Sequence, residues 1–332
     1  MIDFCLVGAG FIGPVHAANL AAHPGARLSW VVDLDAKAGK SLADKYGARA
    51  STDLAAALAD PAVRAVIVCT PPRTHTTIIE SAANAGKAIF CEKPVDLDLA
   101  RVDRIRDVLA RTGVPFYVAF NRRFDPSHRA LHDALRAGEI GRPEMLILSS
   151  RDPEISPPDA VAATPYGIFY DTMIHDFDMA RWLLADEPVE IYARTACMLD
   201  EKENPHRDPD TAMVVMRMAG GALVHVNSSF RAVYGYDQRI EVFGAAGMLI
   251  SDNQRATTVE RYGKDGIRRD PLLHFFIDRY ARSYTLELDA FVQALENSTA
   301  PSIGLDDGRR ALMIAEAGVQ SAKTGAPVTL PA

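Results

Sequence analysis

The sequence predicts an α/β protein of two domains, on three observations. Strand-like and helix-like runs alternate through the first 120 residues. A glycine-rich turn joins the first strand to the first helix. The second half changes to a succession of β-like runs on short turns. Alternation of the first kind builds a parallel sheet with right-handed helical crossovers. Consecutive strands on short turns build a mostly antiparallel one. A chain of 332 residues is long enough for two cores at roughly 150 residues per domain.

The elements follow in order. Ile2–Val7 is apolar except for Asp3 and reads as a strand, followed by the glycine turn and a helix through Leu20. Leu28–Val32 is a second strand and Ala36–Tyr46 a helix. Ala65–Cys69 is nearly continuous in apolar residues, as strands buried on both faces are. His75–Ala85 has Ile78, Ile79, Ala82 and Ala83 on one side and Gly86 as its stop. Ala88–Cys91, Leu99–Arg111 and Phe116–Ala119 continue the alternation. Arg151–Pro165 is rich in proline and reads as a loop, then a helix runs from Asp171 to Leu184. Strands are expected at Val189–Cys197, Thr211–Met218, Ala222–Phe230, Arg239–Phe243 and Met248–Ser251, and helices at Leu272–Glu296 and Asp307–Lys323. The domains are placed at 1–121 and 122–332.

Composition excludes several classes. Apolar residues make up 48% and charged residues 24%, and 36 basic against 43 acidic residues give a net charge of −7. That is neither a disordered chain, a collagen-like repeat nor a basic nucleic-acid binder. No run approaches the roughly 18 apolar residues of a membrane span. Met1-Ile2-Asp3-Phe4-Cys5 has no basic leader, so no secretory signal is read. Cys5, Cys69 and Cys91 sit inside β-like runs and, with Cys197, match no zinc spacing. They read as small apolar residues of a cytoplasmic protein, not a disulfide frame.

Gly8-Ala9-Gly10-Phe11-Ile12-Gly13 is a GxGxxG between a strand and a helix, with Asp33 ending the next strand twenty residues after Gly13. In that context it is a dinucleotide-binding (Rossmann) turn. Gly8 permits the tight turn, Gly10 the approach of a pyrophosphate, and Gly13 close helix–strand packing. The helix N-terminus offers N–H groups to the anion. Asp33 accepts ribose hydroxyls and repels a 2′-phosphate, which favours NAD over NADP; Lys37 nearby softens that preference. Cys69-Thr70-Pro71-Pro72 and Glu92-Lys93-Pro94 both end strands, where ligand crevices lie. A lysine there can hold a substrate hydroxyl or serve as a surface ion-pair partner. Asp171 and His175 lie four apart on a predicted helix and share a face. An acid–imidazole pair can take a hydroxyl proton, or it can be a solvated face with a capping acid. A metal site from Asp171, His175 and Asp178 is the rival reading, but no further ligand cluster is evident. Asp178 is expected to pair with Arg181 on the surface.

GAGFIG, VVDLD, VCTPPRTH, FCEKP, NRRFDP and DTMIHDFDMARWL, in that order, resemble the Gfo/Idh/MocA oxidoreductase family, and within it the bacterial inositol 2-dehydrogenases. Tyr234-Gly235-Tyr236-Asp237 is also similar. The resemblance covers nearly the whole chain. It implies a Rossmann domain followed by an α/β domain with a large open-faced sheet. It implies transfer of hydride between a cyclic polyol or sugar and a nicotinamide, with no metal. Lys93, Asp171 and His175 are its catalytic set. Thr70, Pro71, His75 and Glu92 join Gly8, Gly10, Phe11, Ile12, Gly13, Asp33 and Lys93 around the cofactor. Arg122, Thr172 and Tyr236 join Lys93 and His175 around substrate. Where similar inositol enzymes have small residues before the catalytic helix, this chain has Thr164-Pro165-Tyr166-Gly167, so Tyr166 bears on which polyol fits. The alternatives are a dehydrogenase of another sugar and a non-catalytic, dinucleotide-binding sugar sensor. Thr211–Met218 is apolar on both alternating sets and wants cover on both faces, so a homo-oligomer is expected, a tetramer by resemblance. Nucleic-acid and membrane partners are not.

Overall fold

The computed structural model describes residues 1–331, apart from the side chains of residues 159 and 160. The chain forms two compact units, Met1–Asn121 with Ser283–Arg310, and Arg122–Arg282 with the chain from Ala311 onward.

The first unit alternates as expected: β1 (Ile2–Val7), α1 (Gly13–Ala22), β2 (Ala26–Val32), α2 (Ala36–Tyr46), β3 (Arg49–Ser51), α3 (Leu54–Leu58), β4 (Val63–Val68), α4 (Pro72–Asn84), β5 (Ala88–Cys91), α5 (Leu99–Thr112) and β6 (Phe116–Val118). All six strands are parallel, in the order β3-β2-β1-β4-β5-β6. The strand order reverses between β1 and β4, so their carboxyl ends flank a crevice suited to a ligand. Local chemistry sets the helix ends. Asp35, Asp53 and Asp98 accept the first free N–H groups of α2, α3 and α5, an arrangement worth about 1 kcal/mol per cap. Residues 283–310 pack here although the sequence reading placed them in the second domain. The reason is aromatic burial: Phe291 lies 5.6–6.3 Å from the rings of Phe4, Phe90 and Tyr117.

The second unit runs α6 (Pro126–Arg136), β7 (Pro143–Arg151), α7 (Pro158–Ala163), a π-helical stretch (Ile168–Met173), α8 (Ile174–Leu184), β8 (Pro188–Ala196), β9 (Thr211–Met218), β10 (Leu223–Ser229), β11 (Asp237–Gly244), β12 (Gly247–Ser251), β13 (Glu260–Gly263), β14 (Gly266–Arg269) and α9 (Phe276–Arg279). After it come α10 (Ala281–Glu296), α11 (Leu305–Thr324) and β15 (Val328–Thr329), the helices divided between the units at 282/283 and 310/311. Seven strands form one sheet, β12-β11-β7-β10-β9-β8-β15, antiparallel except where β7 meets β10. One face buries Leu146, Leu148, Val214, Met216 and Val226 against Phe169, Phe177 and Leu183 of the helical layer. By register, the other face carries Met145, Ile147, Met213, Val215, Leu223, Phe243, Met248 and Ile250, and these are exposed, Met213 to 59%.

Three expectations are corrected. β7, central to the sheet, has no counterpart in the sequence reading, because its two apolar faces hide any period of two. The proline-rich loop contains α7. Leu272–Glu296 is not one helix: the chain reaches α10 only after the short α9 and Tyr280.

Candidate active site

In the first unit the glycine turn is shaped by steric necessity. Gly8 has φ +103°, and a Cβ there would lie 2.7 Å from the carbonyl carbon of Cys69. A Cβ at Gly13 would collide with the Gly8 carbonyl oxygen, whereas one at Gly10 would meet nothing within 4 Å. Gly10 therefore borders open space and is exposed together with Phe11, while Ile12 is half-buried. No side chain caps α1, which leaves its N-terminus to an anion. Asp33 sits at the end of β2 against this turn. One carboxylate oxygen accepts the Ala9 N–H at 2.6 Å and the other the Asp35 N–H at 2.7 Å. A carboxylate oxygen has a second lone pair, so both oxygens keep room for a ribose hydroxyl. These residues fit a dinucleotide.

Two further turns lie at strand carboxyl ends. Thr70 and Pro71 follow β4, and the Thr74 hydroxyl bridges to the Thr70 hydroxyl and the Pro71 carbonyl. Glu92, Lys93 and Pro94 follow β5, with a cis Lys93–Pro94 bond and a half-buried Lys93. Glu92 is buried. One of its oxygens pairs with His16 Nε2 at 2.7 Å and the other accepts the Lys93 N–H at 3.2 Å. Behind it, burial and the charge of Glu92 push the Glu287 carboxyl well above the usual carboxylate range. The sequence reading missed His16 and Glu287. The first lies on the buried face of α1; the second comes from a helix assigned to the wrong domain.

In the second unit Asp171 and Thr172 lie in the π-helical stretch and His175 in the first turn of α8. The expected single helix is thus a π turn followed by an α-helix, and widened turns of this kind are frequent at functional sites. Asp171 is exposed, Thr172 buried and His175 half-buried. The segment before them is pinned: Tyr166 has φ +60°. Its N–H and that of Gly167 reach the Asp208 carboxylate at 2.8 and 3.3 Å. The Lys323 ammonium lies 4.8 Å from the Tyr166 ring.

Arg122 and Tyr236 come together, both buried. Arg122 Nη1 donates to Asp176 at 2.8 Å and to the Ser150 hydroxyl at 3.0 Å, and Nη2 reaches the Tyr236 hydroxyl at 3.5 Å. Burial pushes the Asp176 carboxyl up even though Arg122 and Ser150 oppose it. Burial also raises the Tyr236 phenol, and the negative charge of Asp152 adds to that shift. Asp152, Ser150 and Asp176 escaped the sequence reading; Ser150 and Asp152 lie at the carboxyl end of a strand it did not contain, and Asp176 in the first turn of α8. The expected surface pair is corrected. Asp178 is buried and receives a two-pronged bond from Arg123 at 2.5 and 2.8 Å, while Arg181 donates to Glu187 through two nitrogens. Two buried charges in fork geometry satisfy each other in a way a solvated pair need not.

A parallel six-stranded sheet whose glycine turn and acidic β2 end fit a dinucleotide, joined to a second α/β unit rich in buried polar side chains, defines a nicotinamide-dependent oxidoreductase. Residues 2–120 match the oxidoreductase family with an NAD-binding Rossmann fold, and residues 128–250 match the GFO/IDH/MocA C-terminal domain. The chain is 43% identical to the inositol 2-dehydrogenase of Rhizobium meliloti over 321 residues, 96% of each chain. It is 40% identical to the myo-inositol 2-dehydrogenase of Thermotoga maritima, over 95% of each. A solved myo-inositol dehydrogenase of Corynebacterium glutamicum superposes with a TM-score of 0.94 at 37% identity, covering 100% of this chain and 99% of that one. The chain belongs to the GFO/IDH/MocA oxidoreductase family.

Proposed function

We propose that this protein oxidises a secondary alcohol of a cyclic polyol, myo-inositol or a close isomer, to the ketone. What carries the reading is end-to-end similarity to inositol dehydrogenases in a chain that keeps Lys93, Asp171 and His175. The glycine turn and Asp33 hold NAD, which when bound supplies the hydride acceptor. The Lys93 ammonium donates to the reacting hydroxyl oxygen and favours its alkoxide. His175 takes the hydroxyl proton, and Asp171 orients the imidazole and stabilises the imidazolium. Arg122, Thr172 and Tyr236 discriminate among the remaining hydroxyls. A hydroxyl that loses its buried partner costs about 1–3 kcal/mol. The Asp33 carboxylate favours NAD over NADP because a 2′-phosphate there meets a like charge.

The exposed apolar face of the seven-stranded sheet supports assembly into a homo-oligomer, with a tetramer expected. Large apolar patches on a monomer mark interaction surfaces. Four free cysteines suit a reducing cytoplasm. The deciding experiment is a panel of inositol isomers and aldoses, assayed by NADH or NADPH absorbance. Turnover with NAD on an inositol is the expected result. Turnover confined to an aldose, or tight NAD binding with no turnover on any member, overturns the reading.

A further inference from the structure

We infer that His75 is a positioning residue for Lys93, its imidazole fastening the main chain just after Lys93 to α4. The inference rests on Lys93 holding the reacting hydroxyl. His75 is fully buried in the first turns of α4. Its Nδ1 lies 2.9 Å from the Pro94 carbonyl oxygen and its Nε2 2.7 Å from that of Thr70. The ring thus lies between two turns at adjacent strand ends, one of them carrying Lys93. The next residue grips the same segment. The Thr76 hydroxyl donates to Asp96 at 2.5 Å. Asp96 also accepts the Leu97 N–H at 2.7 Å and lies 3.1 Å from Arg101. From the other side His16 holds Glu92. Residues 92–97 are therefore braced by α1 and α4 through buried polar side chains, and the brace on the residue just after Lys93 is His75.

The chemistry of the ring decides what it can hold. A neutral imidazole has one N–H, and both nitrogens face carbonyl oxygens. Burial disfavours the charged form, while the two carbonyls and the charges of Glu92 and Asp96 favour it. The net shift is downward, so the ring is neutral at neutral pH. The Cys91 sulfur, 3.5 Å from Nδ1, stays a thiol because burial pushes it well up. To hold Pro94, the single proton must sit on Nδ1.

Two measurements test this. In the wild-type protein, nitrogen NMR of labelled histidine should show His75 neutral, protonated at Nδ1, with that N–H shielded from solvent exchange. Protonation at Nε2 overturns the inference. In His75→Phe, which keeps the volume and removes the donor, kcat should fall about 10–100-fold, the scale of a small misplacement of a reacting group. KM should stay near wild type, and His75→Gln, which restores an N–H donor, should recover most of the loss. Unchanged kcat in His75→Phe, equal losses in both variants, or KM rising in step with the fall in kcat each overturns it. Lys93→Ala is assayed alongside. If it keeps turnover, the role of Lys93 itself has failed; if it loses turnover while His75→Phe does not, the failure belongs to His75 alone.

Discussion

The two units hold their polar side chains by different means. In the first, the backbone does most of the work. A glycine turn exposes N–H groups, aspartates cap helices, and Lys93 sits on a short turn braced by His16 and His75. In the second, buried ion pairs do it: Arg122 with Asp176, Arg123 with Asp178, and Arg279 with Asp125. A backbone site recognises what every dinucleotide shares, a pyrophosphate and a ribose. A side-chain site can be re-cut for a particular pattern of hydroxyls. The division of labour follows from that difference.

The largest expected effect sharpens the comparison at the chemistry. Lys93→Ala and His175→Ala should each lower turnover by about three orders of magnitude or more, given that a positioned acid–base group alone supplies 10²–10⁴-fold. Calorimetry should find NAD binding retained in both. Near-native turnover in either variant removes that residue from the mechanism.

The next tests the ion pairs. Arg123→Met leaves Asp178 buried without its fork, and losing one partner of a buried pair costs about 3–5 kcal/mol. Urea unfolding should register a loss of that size. A loss under about 1 kcal/mol would mark the pair as no stronger than an exposed one.

A third concerns acid. Burial holds His128 down at about 4, with Asp125 and the cations Arg279 and Arg122 around it. The unfolded chain takes up a proton near pH 6.5 and the folded unit does so only near pH 4. Stability should therefore fall as pH drops through that window, by about 3 kcal/mol at most, and level off below it. His128→Gln should flatten the slope; an unchanged slope would place the acid sensitivity elsewhere.

The smallest effect separates two glycines of one motif. Gly13→Ala crowds the Gly8 carbonyl and should destabilise the protein without ligand by about 1–3 kcal/mol, the usual cost of overpacking. Gly10→Ala has room and should leave stability unchanged, yet weaken NAD binding about tenfold or more, because the methyl lies on the approach of the pyrophosphate. Equal behaviour of the two would mean that Gly10 serves packing rather than the cofactor.

Legibility differs between the units for the same reason that their sites do. β1, α2 and β5 match the expected residues end to end, because strands buried on both faces and helices with acidic caps announce themselves locally. The glycine turn was legible because three glycines at fixed spacing between a strand and a helix form a local pattern. β7 was not: its apolar run Met145–Leu148 shows no period of two, and periodicity does not tell so short a run from a helix segment. The partners of Arg122 and Arg123 were illegible too. Asp176 and Asp178 lie more than fifty residues away in sequence, and nothing local distinguishes a buried arginine from a solvated one.

What the sequence determined by itself was the alternation of elements in the first unit and the glycine turn with its acidic partner. Those are properties of neighbours, written at spacings of two to twenty residues. What the tertiary structure alone decided was which charges are buried together, where residues 283–310 pack, and which face of the second sheet is left bare. Each depends on bringing distant segments into contact, where desolvation rather than local preference sets the outcome.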